Sequence, residues 1–217
     1  MKSLEVNPQF LFSSPIKPES CAVLFGIPTC EEQFMVDWNS KVGKSGCFAE
    51  KCLKERNGKP DRHSYKRTFE MFFSQAEITV GQLELLGMTV EREGTLEQFR
   101  KLASRPENKV IVLFSHSHKE RVEFRDGFYD AGAISLALPI YFNRMIDITV
   151  CHTPALANRL SADFLDSVIH HHLWKADPTF WLLSLELVAK LLRSGDCSYP
   201  SALTKAVKIV KNGLSKC

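Results

Sequence analysis

Two short segments of the chain combine nucleophilic and proton-transferring side chains at the end of an apolar run. Ser115-His116-Ser117-His118 follows the run KVIVLF (109–114), and Cys151-His152-Thr153 follows MIDITV (145–150). A free thiol has a pKa of about 8.5 and is only a few per cent thiolate at neutral pH. An imidazole beside it can accept its proton, or hand one to a departing amine. Backbone N–H groups at a strand-to-helix turn can stabilise the oxyanion that forms. Together these are the parts of a nucleophilic acyl transfer. The Thr153-Pro154 step predicts a sharp turn into a helix over Ala155 to Leu165. A thiol at that helix N-terminus would have its pKa lowered by the helix dipole. Taken singly, Cys151 reads as core packing and His116 as a loop residue, and the pairing is what favours chemistry.

The elements that must position this pair can be read from periodicity. Cys21 to Gly26 (CAVLFG), Met88 to Val90, Lys109 to Phe114 and Met145 to Val150 are short apolar runs of the kind a strand buried on both faces needs. Helical spacing is present over Lys66 to Leu86, stopped at Leu86-Gly87. Thr95, with Gln98 three residues on, has the form of a capping box for a helix reaching about Ser104. Arg121 to Phe124 and Phe128-Tyr129 flank Asp126-Gly127 as a hairpin, and Asp130 caps a helix to about Leu138. Asp177-Pro178 opens a strongly apolar helix closed by Ser194-Gly195, and a last amphipathic helix runs from Ser201 to about Val210. The alternation of strand and helix predicts a doubly wound α/β fold, a mostly parallel sheet with helices on both faces. Ligands of such sheets sit beyond the carboxyl ends of the strands, where His116 and Cys151 stand.

Composition bounds the rest. With 217 residues, 44% apolar and 24% charged, the chain reads as one globular domain spanning 1–217. A chain of this size buries roughly 70% of its unfolded surface, which excludes a disulfide-stapled miniprotein, a collagenous chain and a mainly disordered one. The net charge of +3 gives no general argument for a nucleic-acid or membrane partner. Seven cysteines, at 21, 30, 47, 52, 151, 197 and 217, include no CxxC pair. The start, MKSLEVNPQFLF, lacks the apolar core of a signal peptide, and no stretch reaches the apolar length of a membrane span. A cytoplasmic protein with reduced thiols is expected.

The order of strand with Ser-His, acidic-aromatic hairpin, and strand with Cys resembles the caspase-like cysteine peptidases, the superfamily of caspases, metacaspases, separases and CHAT-domain proteases. Leu113-Phe114-Ser115-His116 is similar to that family's apolar run ending in Ser-His. Val122 to Gly127 is similar to the hairpin that follows the histidine in bacterial CHAT-like domains, and Ile146 to Thr153 to their cysteine strand. The resemblance covers about Cys21 to Leu160, with its specific motifs between 109 and 153. It implies a cysteine endopeptidase acting on a protein substrate. Cys151 would be the nucleophile, His116 (or His118, if the strand end shifts by two) its proton-transfer partner, and the amides of Ser117 and Cys151 the oxyanion hole. Ser117 departs from the Gly usual after the histidine. Thr149 stands where members that cut after basic residues often carry Asp. CHAT-like domains are common in bacterial defence and cell-death systems under control of a sensor, so a separate regulatory chain is an implied partner. The rival readings are an inactive caspase-like binding or adaptor module and a redox-sensing thiol protein.

Other motifs carry less. Gly43-Lys44-Ser45 resembles the tail of a phosphate-binding loop, but Trp38 occupies the position of the first Gly that the pattern needs, so nucleotide binding is not expected here. Between Lys41 and Arg67 there are nine Lys and Arg residues against Glu50, Glu55 and Asp61, with Phe48 and Tyr65 interleaved. This stretch reads as an exposed basic loop or helical insertion rather than a nucleic-acid surface. His170-His171-His172 are consecutive, point in different directions and cannot all chelate one ion, so they read as structural or partly exposed. No cofactor or metal site is expected.

Overall fold

The apolar runs become strands because each buries both sides of its pleat. The computed structural model describes residues 13–41, 46–50, 69–149, 154–172 and 177–214. In chain order the strands are β1 (Cys21–Phe25), β2 (Thr89–Glu91), β3 (Val110–Phe114), β4 (Ser117–His118), β5 (Arg121–Phe124), β6 (Gly127–Tyr129), β7 (Met145–Thr149) and β8 (Val168–His171). Five form one all-parallel sheet in the order β2-β1-β3-β7-β8, and β4, β5 and β6 form a small antiparallel sheet. The helices are α1 (Glu31–Lys41), α2 (Ser74–Leu85, entered through a π-helical turn at Phe69–Phe73), α3 (Leu96–Ser104), α4 (Ala131–Leu136), α5 (Pro154–Asp163), α6 (Pro178–Arg193) and α7 (Tyr199–Leu214).

The period-two alternation of the strands divides the core into two layers. Cys21, Val23, Phe25, Val110, Val112, Phe114 and Met145 face one side, where α2, α6 and α7 cover them with Val80, Leu83, Leu182, Val188 and Ala202. Ala22, Leu24, Ile111, Leu113, Ile146 and Ile148 face the other, against Phe99 of α3, Ile134 of α4 and Leu156 and Leu160 of α5. Helices thus lie on both faces, and the doubly wound α/β expectation holds. The nearly all-round apolarity of α6 has the same origin. Phe180, Trp181, Leu182, Leu185, Val188 and Leu192 are all buried, between the sheet and the neighbouring α2 and α7.

The caps read from the sequence are present. Thr95 Oγ1 accepts from Gln98 N at 3.1 Å, Asp130 Oδ1 from Ala133 N at 2.9 Å, and Asp177 Oδ1 from Thr179 N at 2.8 Å. Three features differ from expectation. Helix α1 and strand β8 carry little sequence signal: Glu31–Lys41 has a weak apolar pattern, and Val168–His171 ends in histidines rather than apolar residues. The third concerns the basic stretch. Cys47, Phe48 and Ala49 are core residues, and Glu50 is buried with them, so this part of 41–67 is not an exposed loop. Tyr65 and the Gly43-Lys44-Ser45 motif lie outside the described residues. No helix among the described residues is long and apolar enough to cross a membrane.

Candidate functional site at the carboxyl end of the sheet

The strand order reverses direction between β1 and β3, because the chain goes from β1 outward to β2 and then back across β1 to β3. A crevice opens beyond the carboxyl ends at such a point. Here the backbones close in tightly. Gly26 N donates to Phe114 O at 2.9 Å. A Cβ on Gly26 would come within 2.4 Å of the Glu123 carbonyl and 2.7 Å of Ser115 Oγ. Only glycine leaves room for the three segments to meet there.

His116 follows β3 by two residues and is buried. Its carbonyl accepts from Glu123 N at 2.8 Å, and Ser115 Oγ donates to the Glu123 carbonyl, so β3's end is tied to β5 on both sides of the histidine. Glu123 is itself fully buried and its Oε2 accepts from Phe48 N at 2.8 Å. The Phe48 ring stands 6.2 Å from the His116 ring. The buried segment around Phe48 is therefore one wall of the histidine's surroundings.

A ring of polar contacts fixes the loops around this end. Arg125, on the β5–β6 turn, pairs with the buried Asp37 of α1 and with Glu93 at 3.3 Å. Gln33 Nε2 donates to Glu93 Oε1 at 2.6 Å, and Gln33 Oε1 accepts from Thr29 N at 2.8 Å. Arg125 N donates to Gly94 O at 3.0 Å, while Gly94 N donates to Phe25 O, also at 3.0 Å. The loops after β1, β2 and β5 are thus joined through one guanidinium.

The candidate residues fare differently. His118 belongs to β4, opposite Arg121 in the small sheet, with its ring packed on Gly46. Ser117 stands beside it in β4, opposite Val122. Among the described residues only Lys119 and Glu120 have a positive φ without being glycine, at 49° and 62°, where they form the β4–β5 turn. Ser117 consequently needs no glycine-only backbone, and the departure from Gly at this position carries no strain. Thr149, the last residue of β7, is buried and pairs with Phe114, and its carbonyl accepts from Ser115 N at 3.2 Å. Cys151, His152 and Thr153 lie outside the described residues.

Comparison with protein-family models, with curated proteins and with solved structures finds no match to this chain. The fold rests on its own geometry, and the caspase-like resemblance rests on the residues quoted above.

A second polar group lies in the middle of the sheet. Asp147, on β7, is buried under α6 and α7. Its Oδ2 accepts from the Tyr199 hydroxyl at 2.7 Å, and its Oδ1 lies 2.9 Å from His170 Nδ1 and 3.4 Å from His172 Nε2. Burial alone would raise the carboxyl's pKa, but the hydrogen bond of His170 and the nearby charges of His170 and His172 outweigh it and hold it well below the ordinary carboxylate range. Burial lowers the pKa of His170, yet its bond to Asp147 and that carboxylate's charge leave it raised overall. Tyr199 is pushed well above its usual value, first by burial and then by the neighbouring carboxylate. Among the described residues Asp147, His170 and His172 are the group whose ligand atoms could hold a metal, all within 4.8 Å of one another. The sequence carried a signal for it. An Asp inside an apolar strand must be partnered, and residues two apart on a strand share a face, so His170 and His172 can converge where three consecutive histidines cannot.

Proposed function

We propose that the protein is a cysteine-type endopeptidase in which Cys151 is the nucleophile and His116 transfers its proton. One observation carries the reading. Strands β3 and β7 are parallel neighbours in register to Phe114 and Thr149, and His116 and Cys151 each follow those residues by two positions in the sequence. Residues that continue paired neighbouring strands belong to the end of the sheet where such folds hold their ligands. His116 is the better candidate than His118, since it continues β3 itself while His118 is committed to the small sheet.

In this mechanism His116 takes the thiol proton as Cys151 attacks a peptide carbonyl. The tetrahedral oxyanion is held by the backbone amides of Cys151 and Ser117, and the protonated imidazole then supplies the leaving amine. An acyl-thioester remains, and water hydrolyses it by the same route in reverse. The substrate class is a protein chain, and control by a separate regulatory chain follows from the resemblance to CHAT-like domains.

A peptidyl acyloxymethyl ketone, which alkylates activated thiolates, tests this directly. It is expected to modify Cys151 in the wild-type protein, with labelling slowed roughly 10²–10⁴-fold in His116→Ala and unchanged in His118→Ala. Labelling confined to other cysteines, or equally fast at Cys151 in His116→Ala, overturns the assignment and favours the inactive binding module.

A further inference from the structure

We propose that Asp147, His170 and His172 form a binding site for a divalent transition-metal ion of the zinc type, with Tyr199 holding the carboxylate in place. The site is separate from the Cys151–His116 reading and does not depend on it.

The argument begins with register. His170 is the direct cross-strand partner of Asp147 in the parallel β7–β8 pair, and partners in register project to the same face. His172 follows two residues later and keeps that face. Its ring is fixed by stacking on Trp181 at 3.8 Å between centroids and by the edge of the His170 ring at 4.8 Å. These contacts bring two imidazole nitrogens to one carboxylate oxygen, at 2.9 and 3.4 Å. Zinc bonds of about 2.0–2.1 Å at a tetrahedral angle put ligand atoms about 3.3 Å apart, so both nitrogen-to-carboxylate spacings fit to within a few tenths of an ångström, while the two nitrogens, within 4.8 Å of each other, close in on the ion as the side chains turn.

A second observation points to an ion rather than a purely hydrogen-bonded triad. His172 is 9% exposed, and its buried Nε2, although aimed at Asp147 Oδ1, forms no hydrogen bond with any described residue. A donor or acceptor left in that condition is costly in a protein interior. An ion between the nitrogen and the carboxylate satisfies it. Two imidazoles and one carboxylate suit zinc and its first-row neighbours rather than calcium or magnesium, which prefer oxygen alone. Tyr199 supplies the outer hydrogen bond that orients a ligating carboxylate, the role such partners play in metal sites. His170, with its side chain 37% exposed, gives the ion a way in from solvent. His171, between the two, takes the opposite side of the strand and is not a ligand.

Cobalt(II) added to the chelator-treated full chain is the probe, since its visible spectrum reports both coordination and the presence of sulfur ligands. One equivalent is expected to bind with a four-coordinate d–d spectrum lacking a thiolate charge-transfer band, and zinc should displace it. His170→Gln and His172→Gln should each abolish that spectrum. His171→Gln and Cys151→Ala should retain it. Tyr199→Phe, which leaves all three ligands in place, should weaken binding roughly 10- to 100-fold. Circular dichroism of each variant separates loss of the ion from loss of the fold. No uptake by the folded wild-type protein, a thiolate band, or a spectrum that survives in both folded His→Gln variants overturns the site.

Discussion

His116 and His172 each stand against an aromatic ring of the same core layer, Phe48 and Trp181, yet the fold holds the two histidine sites in different ways. His116 stands beyond its strand and is fixed by the β5 backbone, a buried segment around Phe48 and a ring of loop contacts centred on Arg125. His170 lies inside the sheet, set opposite Asp147 by the same ladder that forms the core. A strand-end residue can shift when its loops shift, so a bound substrate or regulator can reposition it. A residue inside the ladder moves only if the sheet does. The first arrangement suits chemistry under control, and the second suits holding one ligand at fixed geometry.

The largest expected effect breaks the strand-end region. Arg125 and Asp37 have side chains only 8% and 2% exposed, so removing either leaves a buried charge without its main partner. Arg125→Ala should lower the unfolding free energy by about 3–5 kcal/mol, read by urea denaturation. Because a well-packed apolar pair can replace a buried ion pair, Arg125→Met with Asp37→Leu should recover most of the loss. If Arg125→Ala costs less than about 1 kcal/mol, the guanidinium is not what joins these loops.

Next in size is a break at the sheet's buried carboxylate, Asp147. Tyr199→Phe removes a hydrogen bond to a buried carboxylate and should cost about 1.5–3 kcal/mol in the metal-free protein. Asp147 keeps its contacts to His170 and His172, so the fold should survive. The contrast with Arg125 is informative: the sheet variant should change stability without changing the rate at which Cys151 is labelled, whereas the loop variant should change both.

The same division explains what could be read beforehand. Strands β1, β3 and β7 were legible to within a residue because a buried parallel strand must be apolar on both faces. The caps at Thr95, Asp130 and Asp177 were legible because capping chemistry is local. Strand β8 was not, since Val168–His171 gains its place by pairing with β7 and its His170 is accommodated by Asp147, a residue 23 positions away. Phe48 and Glu50 are buried against their sequence context for a related reason. Charge density around them suggests solvent, while Phe48 is held by Phe72 and Glu123, distant in sequence. At the strand end, periodicity put His116 in place, but Asp37, Glu93 and Arg125 meet only in three dimensions.

The two histidines at the strand end can be told apart by a smaller perturbation. Gly46 has φ +63°, and a Cβ there would come within 2.6 Å of the His118 ring. Gly46→Ala should cost about 1–2 kcal/mol from the left-handed backbone alone and displace the His118 side chain. His118 ring resonances in NMR should move. The labelling rate at Cys151 should fall by far less than in His116→Ala. A drop as large as that of His116→Ala would make His118 the proton-transfer residue.

The smallest effect tests how far the rigidity of the loop ring reaches. Thr95 caps α3 through Gln98 N, and next to it Gly94 is bonded to both Phe25 and Arg125 while Leu96 N donates to Asp126 Oδ1 at 3.3 Å. Thr95→Ala should cost about 1 kcal/mol, the usual value of a lost cap, by thermal or urea unfolding. It removes no contact to His116 or Asp147. If the loops act as one joined unit, hydrogen exchange should quicken at Gly94, Leu96 and Arg125 together and stay unchanged at His170 and His171. Faster exchange restricted to the first turn of α3 would mean that the cap is isolated, and that Arg125 alone couples the strand-end loops.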